Sequence, residues 1–203
     1  KRDVMVLPEF GFETVDCPLT GSQAAAYATM EAEFVAALAD GSEVVAQSEV
    51  ARLQKLQQIA SWWDGESSKH DALVKKLDDY PSPHLVWTHW RDGARALHER
   101  MADEVIDAEW ISGSDPKKLR DDVIEQYKAG LINVLILRLG VGKFGHTLAN
   151  TRTVHYVDKT WNADDYFQAM RRVRRIGLEK RPLSVTYRAP GTSDELLEMN
   201  LEG

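Results

Sequence analysis

Short apolar runs alternate with longer amphipathic stretches in the second part of the chain. The runs have the aliphatic content of buried strands, and they lie at 84–88, 105–111, 134–137, 153–157 and 183–187. Helical periodicity covers 92–101 and 116–128, and the second helix has Asp115 and Pro116 as a start signal and Gly130 as a stop signal. Strands that alternate with helices are joined by crossovers. This pattern therefore predicts an α/β fold with a parallel sheet and helices on both faces.

The first third of the chain is richer in helix-forming residues. Thr20 and either Ser67 or Ser68 are suitable helix N-caps. The predicted helices cover 21–38, 43–59 and 67–77, and short extended pieces are expected at 4–8 and 13–17. We therefore expect a helical extension over residues 1–66, followed by an α/β unit over residues 67–203.

The composition indicates a globular protein, with 43% hydrophobic and 28% charged residues. No apolar run approaches the roughly 20 residues of a membrane-spanning helix, and no signal peptide is visible at the start, so we expect a cytoplasmic protein with no membrane partner. Cys17 is the single cysteine and the six histidines form no ligand-spaced pair, so no disulfide or metal site is expected. Because the chain begins at Lys1 in mid-pattern, we expect a piece of a longer protein.

Positive charge is concentrated near the end of the chain although the net charge is −7. Within residues 168–177, here called the arginine segment, a helix would place Gln168, Arg172 and Arg175 on one face. A neighbouring apolar stripe of Phe167, Met170 and Val173 would dock that helix on a sheet. Guanidinium groups match phosphate oxygens bidentately, so the segment could aim arginine fingers at a nucleotide. The other interpretation is a basic helix with a solvated face.

A glycine-rich stretch follows the apolar run at 134–137, and we call residues 140–147 the glycine loop. It is not a P-loop, because Gly142 and Lys143 are followed by Phe144 rather than by Ser or Thr. Its glycines either shape a tight turn or let backbone N–H groups approach a phosphate or a ribose closely. The chain also contains no credible Walker B strand with paired acids. We therefore expect that this chain by itself does not hydrolyse ATP.

The order of these segments resembles the second RecA-like lobe of superfamily-two helicases, specifically the Swi/Snf-type DNA-dependent ATPases. The similar segments are 67–73, 84–90, 111–113, 145–148, 158–162, 168–177 and 191–195. Departures from the family pattern at Leu139, Thr147, Ala163, Arg174 and Leu178 indicate a divergent branch, of a kind that includes phage-encoded members. The departures leave Gln168, Arg172 and Arg175 untouched.

The resemblance implies roles around a nucleotide. Arg172 and Arg175 would reach ATP, with its Mg²⁺, bound mainly by a first RecA-like lobe of the same longer chain. Gln168 would orient Arg172 or the attacking water. Gly142 and Gly145 would let the glycine loop approach the nucleotide.

The resemblance also implies contacts with the backbone of duplex DNA. These would come from Thr88, His89, Gly113 and Lys143. The implied function is the second motor lobe of an ATP-dependent DNA translocase. Two alternatives stay open: a superfamily-two helicase that unwinds RNA or DNA, and a non-catalytic α/β module that binds nucleic acid or protein through the basic segment.

Overall fold

The computed structural model describes residues 11–38, 40–139, 147–160, 169, 173 and 182–202. The strands are β1 Gly11–Asp16, β2 Val35–Ala37, β3 Glu43–Val45, β4 His84–Thr88, β5 Ala108–Ile111, β6 Val134–Arg138, β7 Thr153–Tyr156 and β8 Leu183–Arg188. The helices are α1 Gly21–Glu33, α2 Glu49–Ser61, α3 Ser68–Lys76, α4 Arg91–Asp103, α5 Lys117–Lys128 and α6 Ser193–Glu202, and a 3₁₀ turn covers Leu77–Asp79. None of the described helices has the length and apolar content to cross a membrane.

Six of these strands form one parallel sheet, in the order β1-β8-β7-β4-β6-β5. The central strand β4 is buried along its whole length, as expected for a parallel strand covered on both faces. The predicted α/β fold with a parallel sheet is therefore confirmed. Because the strands are parallel, their carboxyl ends share one edge, where such sheets bind ligands.

Helices cover both faces of this sheet. On one face α3 and α4 pack against alternate strand residues through Leu73, Leu97 and Met101. On the other face α5 packs through Ile124 and Tyr127. Alternation of side chains along each strand explains how one apolar run supplies both cores.

The predicted helices at 21–38 and 43–59 are wrong at one end each. The first, α1, stops at Glu33 because Phe34 adopts a left-handed conformation, with φ of 62°, and turns the chain into β2. The antiparallel strands β2 and β3 then occupy residues expected to be helical. The second helix begins only at Glu49, where the Ser48 hydroxyl accepts a hydrogen bond from the Ala51 N–H as an N-cap.

The segment that contains α1 and α2 is attached to the sheet by its first strand. Strand β1 pairs with β8 from Gly11↔Leu183 to Asp16↔Arg188, so it forms one edge of the sheet. The helices α1 and α2 pack on each other around Met30, Ile59 and Trp63 in a separate apolar cluster.

The start of α5 differs slightly from the prediction. The helix begins at Lys117, and Pro116 lies just outside it. The Asp115 carboxylate accepts a hydrogen bond from the Ser112 N–H at 2.7 Å, so it ties the turn after β5 rather than capping the helix. Short polar side chains commonly compete for local backbone groups in this way.

Two histidines that the sequence showed as scattered meet inside the sheet, because β4 and β7 are neighbours. His84 Nδ1 lies 3.1 Å from His155 Nε2, and His155 Nδ1 lies 3.1 Å from the Tyr187 hydroxyl oxygen. Burial lowers the pKa of His84 to about 4. Burial, with a further contribution from His84, lowers the pKa of His155 to about 3.

Two fully buried threonines tie strand ends to neighbouring segments. The Thr88 hydroxyl, at the end of β4, donates to Asp158 Oδ2 at 2.7 Å. The Thr153 hydroxyl, at the start of β7, donates to the Pro81 carbonyl oxygen at the same distance. The two hydrogen bonds therefore differ mainly in the charge of the acceptor.

Acid is expected to destabilise the fold. His84 and His155 have lower pKa values in the folded chain than the ordinary value of 6.5, so the unfolded chain binds more protons as the pH falls through 6.5 towards 4. Each such histidine contributes a slope of about 1.4 kcal/mol per pH unit in this window. Urea unfolding over this pH range measures the slope. His155→Gln should flatten it, and an equal slope in the unaltered chain and in this variant would contradict the assignment.

Thr88→Val should destabilise the fold more than Thr153→Val. Both changes are nearly isosteric, but the first leaves a buried carboxylate without one of its hydrogen bonds, which costs about 2–3 kcal/mol, whereas a lost bond to a neutral carbonyl costs about 1 kcal/mol. Denaturant midpoints of the two variants measure the difference. A larger loss for Thr153→Val would show that the Asp158 contact adds little.

Candidate functional site

The loops after β4, β6 and β7 start side by side at the carboxyl edge of the sheet. Thr88 stands opposite Arg138 in the register, and the Leu139 N–H donates to the Thr88 carbonyl oxygen at 2.7 Å. On the other side of β4, the Val157 N–H donates to the Trp87 carbonyl oxygen at 3.0 Å. The structure thus brings together the starts of three loops in which the sequence places candidate residues.

One carboxylate, that of Asp158, organises the loop after β4. Its Oδ2 atom accepts hydrogen bonds from the Thr88 hydroxyl and from the His89 N–H, both at 2.7 Å. The Asp158 side chain is buried. A negatively charged oxygen that accepts two donors from one turn fixes the path of the backbone there.

A buried lysine compensates this charge. Lys69 lies on α3 and is 1% exposed, and its Nζ atom is 2.6 Å from Asp194 Oδ2 on α6. Burial alone would lower the pKa of Lys69, but Asp194 and Asp158 outweigh it and raise that pKa. Burial alone would likewise raise the pKa of Asp158, but the Lys69 charge and the donors at His89 and Thr88 hold that pKa below its usual value. Both groups are therefore charged at neutral pH.

The same cluster carries more negative than positive charge. Asp194 Oδ2 also accepts the Ala189 N–H at 2.9 Å, so both carboxylates accept backbone donors, while the ion pair of Lys69 is with Asp194. His70 is buried beside them, and burial lowers its pKa to about 4 against the opposing influence of Asp158. His70 is therefore neutral near pH 7, and Lys69 alone balances the two acids within this cluster.

The described DNA-contact candidates differ in exposure. Thr88 is fully buried and its hydroxyl donates a hydrogen bond to Asp158, so its side chain faces the protein interior. His89 is half-buried; its carbonyl oxygen accepts Arg138 Nε–H at 3.2 Å, and its ring meets Trp90 edge-to-face at 4.8 Å. Gly113 is exposed in the turn after β5, separated from β4 by β6. Thr88 and His89 are thus brought together, and Gly113 stands apart from them.

The start of α4 lies next to His89. Trp90 occupies the N-cap position, and within the described part of the chain its side chain makes no capping hydrogen bond. The positive end of the helix dipole therefore points to the same edge as the loop after β4, a geometry that favours anions. A Cβ at Gly93, in the first turn, would make only ordinary contacts, because the Trp62 and Trp90 Cβ atoms would be 3.5 and 3.6 Å away.

All of the nucleotide candidates and one DNA-contact candidate fall outside the described residues. The nucleotide candidates are Gln168, Arg172, Arg175, Gly142 and Gly145, and the DNA-contact candidate is Lys143. Of the apolar stripe predicted for the arginine segment, Val173 is described and is fully buried, and Ala169 four residues earlier is also buried. Both belong to the core that contains Trp87 on β4. Among the described residues, no group of three or more His, Cys, Asp or Glu is arranged to hold a metal ion.

Sequence reasoning missed the parts played by Lys69 and Asp158, although both lie in segments that carry the family resemblance. A signal for Lys69 was present, because it shares a helical face with the core residues Leu73 and Leu77 at spacings of four. Asp158 lies two residues after the buried strand β7 at the ligand-binding edge, which is itself a signal. The proximity of α3 to the loop after β7 could not be read from the sequence, since it depends on how the helices and strands pack.

Comparisons with known proteins agree with this geometry. The family model of the helicase conserved C-terminal domain matches residues 68–177, which is more than half of the chain. The ATP-dependent helicase rhp16 of Schizosaccharomyces pombe is 27% identical over 125 residues, which cover 59% of this chain and 14% of that protein. The chain thus spans about one seventh of the length of such curated relatives.

Solved structures share the fold. The C-terminal part of the Fun30 ATPase domain superposes with a TM-score of 0.75 at 14% identity, covering 97% of this chain and 90% of that chain. The Sulfolobus solfataricus SWI2/SNF2 ATPase core, solved in complex with dsDNA, gives 0.72 at 22% identity, covering 95% of this chain and 43% of that chain. The resemblance inferred from motif order is confirmed: the chain belongs to the helicase conserved C-terminal domain family and has the fold of the C-terminal part of a Swi2/Snf2 ATPase core.

Proposed function

We propose that the chain is the second motor lobe of an ATP-dependent DNA translocase, working at DNA in the cytoplasm or nucleoid of a bacterial or phage-infected cell. The observation that carries the proposal is the family match over residues 68–177, which includes the whole arginine segment. We further propose that ATP and Mg²⁺ are held mainly by a first RecA-like lobe of the same protein, and that this chain alone is inactive.

In this proposal the arginine segment completes the nucleotide site. Arg172 and Arg175 stabilise the negative charge that develops on the transferred phosphoryl group, and Gln168 orients Arg172 or the attacking water. Gly142 and Gly145 let the backbone of the glycine loop come close to the nucleotide. Mg²⁺ supplies charge neutralisation at the phosphates when it is bound. The burial of Ala169 and Val173 supports a segment that is docked on the sheet rather than free in solvent.

In the same proposal, the loops at the carboxyl edge of the sheet bind the DNA backbone. His89, Gly113 and Lys143 contact phosphates or sugars, and the uncapped start of α4 adds its dipole to the loop after β4. Thr88 contributes through its hydrogen bond to Asp158, which shapes the turn that carries His89. A structural neighbour solved with dsDNA supports duplex DNA as the ligand. Contacts of this kind give affinity without reading sequence.

Removing either arginine should abolish DNA-stimulated ATP hydrolysis by the natural two-lobe protein. Arg172→Ala and Arg175→Ala are each expected to lower the rate by about 10³-fold or more, because an arginine finger contributes about that much to phosphoryl transfer. ATPase rates are measured without nucleic acid, with single strands and with duplex, and ATP binding is measured separately. Arg171→Ala and Arg174→Ala are matched controls, since they remove the same charge from the same segment.

Other outcomes would support different functions. Equal losses in all four arginine variants would indicate a general effect of charge rather than two fingers. Stimulation by single strands in preference to duplex would favour an unwinding helicase. Salt-sensitive nucleic-acid binding without ATPase activity in the two-lobe protein would favour the non-catalytic binding module.

Lys143→Gln should weaken duplex binding by the two-lobe protein equally for all sequences. If Lys143 neutralises one phosphate, the slope of log affinity against log salt falls by about 0.9. Filter-binding or anisotropy titrations at several salt concentrations measure it. Lys128→Gln is the control, because Lys128 lies on α5 and is paired with Glu125 at 2.8 Å. An unchanged slope for Lys143→Gln would remove this residue from the interface.

A further inference from the structure

The loop after β7 is anchored to the sheet on one side of Asp158 and to a helix on the other. On the sheet side, the Val157 N–H donates to the Trp87 carbonyl oxygen on β4 at 3.0 Å. On the other side, the Lys159 carbonyl oxygen accepts a hydrogen bond from the Gln57 side-chain amide on α2 at 2.8 Å. Asp158 therefore lies between two neighbours in the chain whose backbone groups are both held.

The side chain of Lys159 supplies a further anchor. Its Nζ atom lies 3.0 Å from Glu198 Oε1 on α6, and the two side chains are 15% and 16% exposed. Glu198 Oε2 also lies 3.3 Å from Arg188 Nη1, and Arg188 pairs with Asp16 on β1 at 2.7 Å. This ion network holds the lysine ammonium group, whereas the Gln57 amide holds the backbone of the same residue.

Gln57 is a polar residue on the mostly apolar buried face of α2. It is 4% exposed, and the same face carries Leu56, Ile59 and Ala60. An apolar side chain at this position would bury more hydrophobic surface and would avoid the desolvation of an amide. A hydrogen bond between neutral groups adds little net free energy in return, but it is directional. The amide is therefore better explained by the group that it holds in place than by the stability that it adds.

The position of Lys159 affects the DNA-contacting edge through the adjacent residue. Asp158 Oδ2 accepts the Thr88 hydroxyl and the His89 N–H, both at 2.7 Å, so a shift of Asp158 would move the turn that carries His89. Gln57 lies 102 residues before Lys159 and also before residues 68–177, which match the family model. A helix outside the matched domain thus reaches this edge through one side chain.

We propose that Gln57 is a positioning residue for DNA binding: its amide fixes the backbone of the loop after β7 and thereby keeps Asp158 and the His89 turn in their DNA-contacting arrangement. The inference rests on the proposed function of this edge. It adds a residue that acts on DNA only through other residues, and it gives α2 a part in DNA binding.

Gln57→Met tests the proposal in the natural two-lobe protein, because methionine has a similar length and no donor. The duplex concentration that gives half-maximal ATPase stimulation is expected to rise about fivefold, the factor that corresponds to one lost hydrogen bond between neutral groups. The maximal rate at saturating duplex should change by less than about twofold, since the nucleotide site is untouched. Gln54→Met is the matched control: it makes the same change at an exposed glutamine of the same helix and should leave both values unchanged.

A second variant separates positioning from stability. Gln57→Asn keeps the amide but is one methylene shorter, so its donor no longer reaches the Lys159 carbonyl oxygen, and it should show the same rise in half-saturating duplex. Partial unfolding would instead lower the maximal rate alone. Circular dichroism melts identify variants that are folded at the assay temperature. A folded variant with an unchanged half-saturating concentration, a loss confined to the maximal rate, or failure of both variants to fold would overturn the positioning role.

The experiment separates this inference from the proposed function. If the unaltered two-lobe protein is stimulated by duplex and the folded Gln57 variants respond identically, only the role of Gln57 fails. If the unaltered protein shows no stimulation by duplex, the proposed function fails, and the positioning role fails with it.

Discussion

Two buried carboxylates hold backbone groups in place at the ligand-binding edge of this fold. Asp158 accepts the His89 N–H and Asp194 accepts the Ala189 N–H, while the buried ammonium group of Lys69 pairs with Asp194 and helps to lower the pKa of Asp158. The loops after β4, β7 and β8 are thereby linked to α3 and α6. The position of His89 is consequently set by a charge that lies 69 residues further along the chain, and Ala189 is held by Asp194, which pairs with the distant Lys69.

The order of the strands makes that linkage possible. In the sheet, β7 lies between β8 and β4, so the residue that follows β7 is within reach of both neighbouring loops. The register places Tyr156 between Trp87 and Thr186, two residues before Asp158. An order that did not place β7 next to β4 would separate the acid from the turn it organises. The helices α2, α3 and α6 supply the remaining partners because they pack around the same edge.

The sequence predicted the regular parts of the sheet and missed what depends on long-range contacts. The apolar runs at 84–88 and 134–137 were sufficient to locate β4 and β6, because parallel central strands are apolar on both faces. The hairpin of β2 and β3 was missed, since residues 21–38 have helix propensity throughout and only the left-handed Phe34 ends the helix early. The pairing of His84 with His155 and the Lys69 cluster both require knowledge of which strands are neighbours.

The charges of this buried cluster also affect the electrostatic potential at the edge that is proposed to bind phosphates. The chain carries a net charge of −7, and buried charges are poorly screened by salt. Uncompensated carboxylates at Asp158 and Asp194 would project a negative potential toward an anionic ligand at the same edge. Lys69 offsets part of this negative charge, and the backbone donors stabilise the rest. The groups that shape the His89 turn thus also reduce the repulsion between these acids and an anionic ligand, so shape and potential at this edge are coupled.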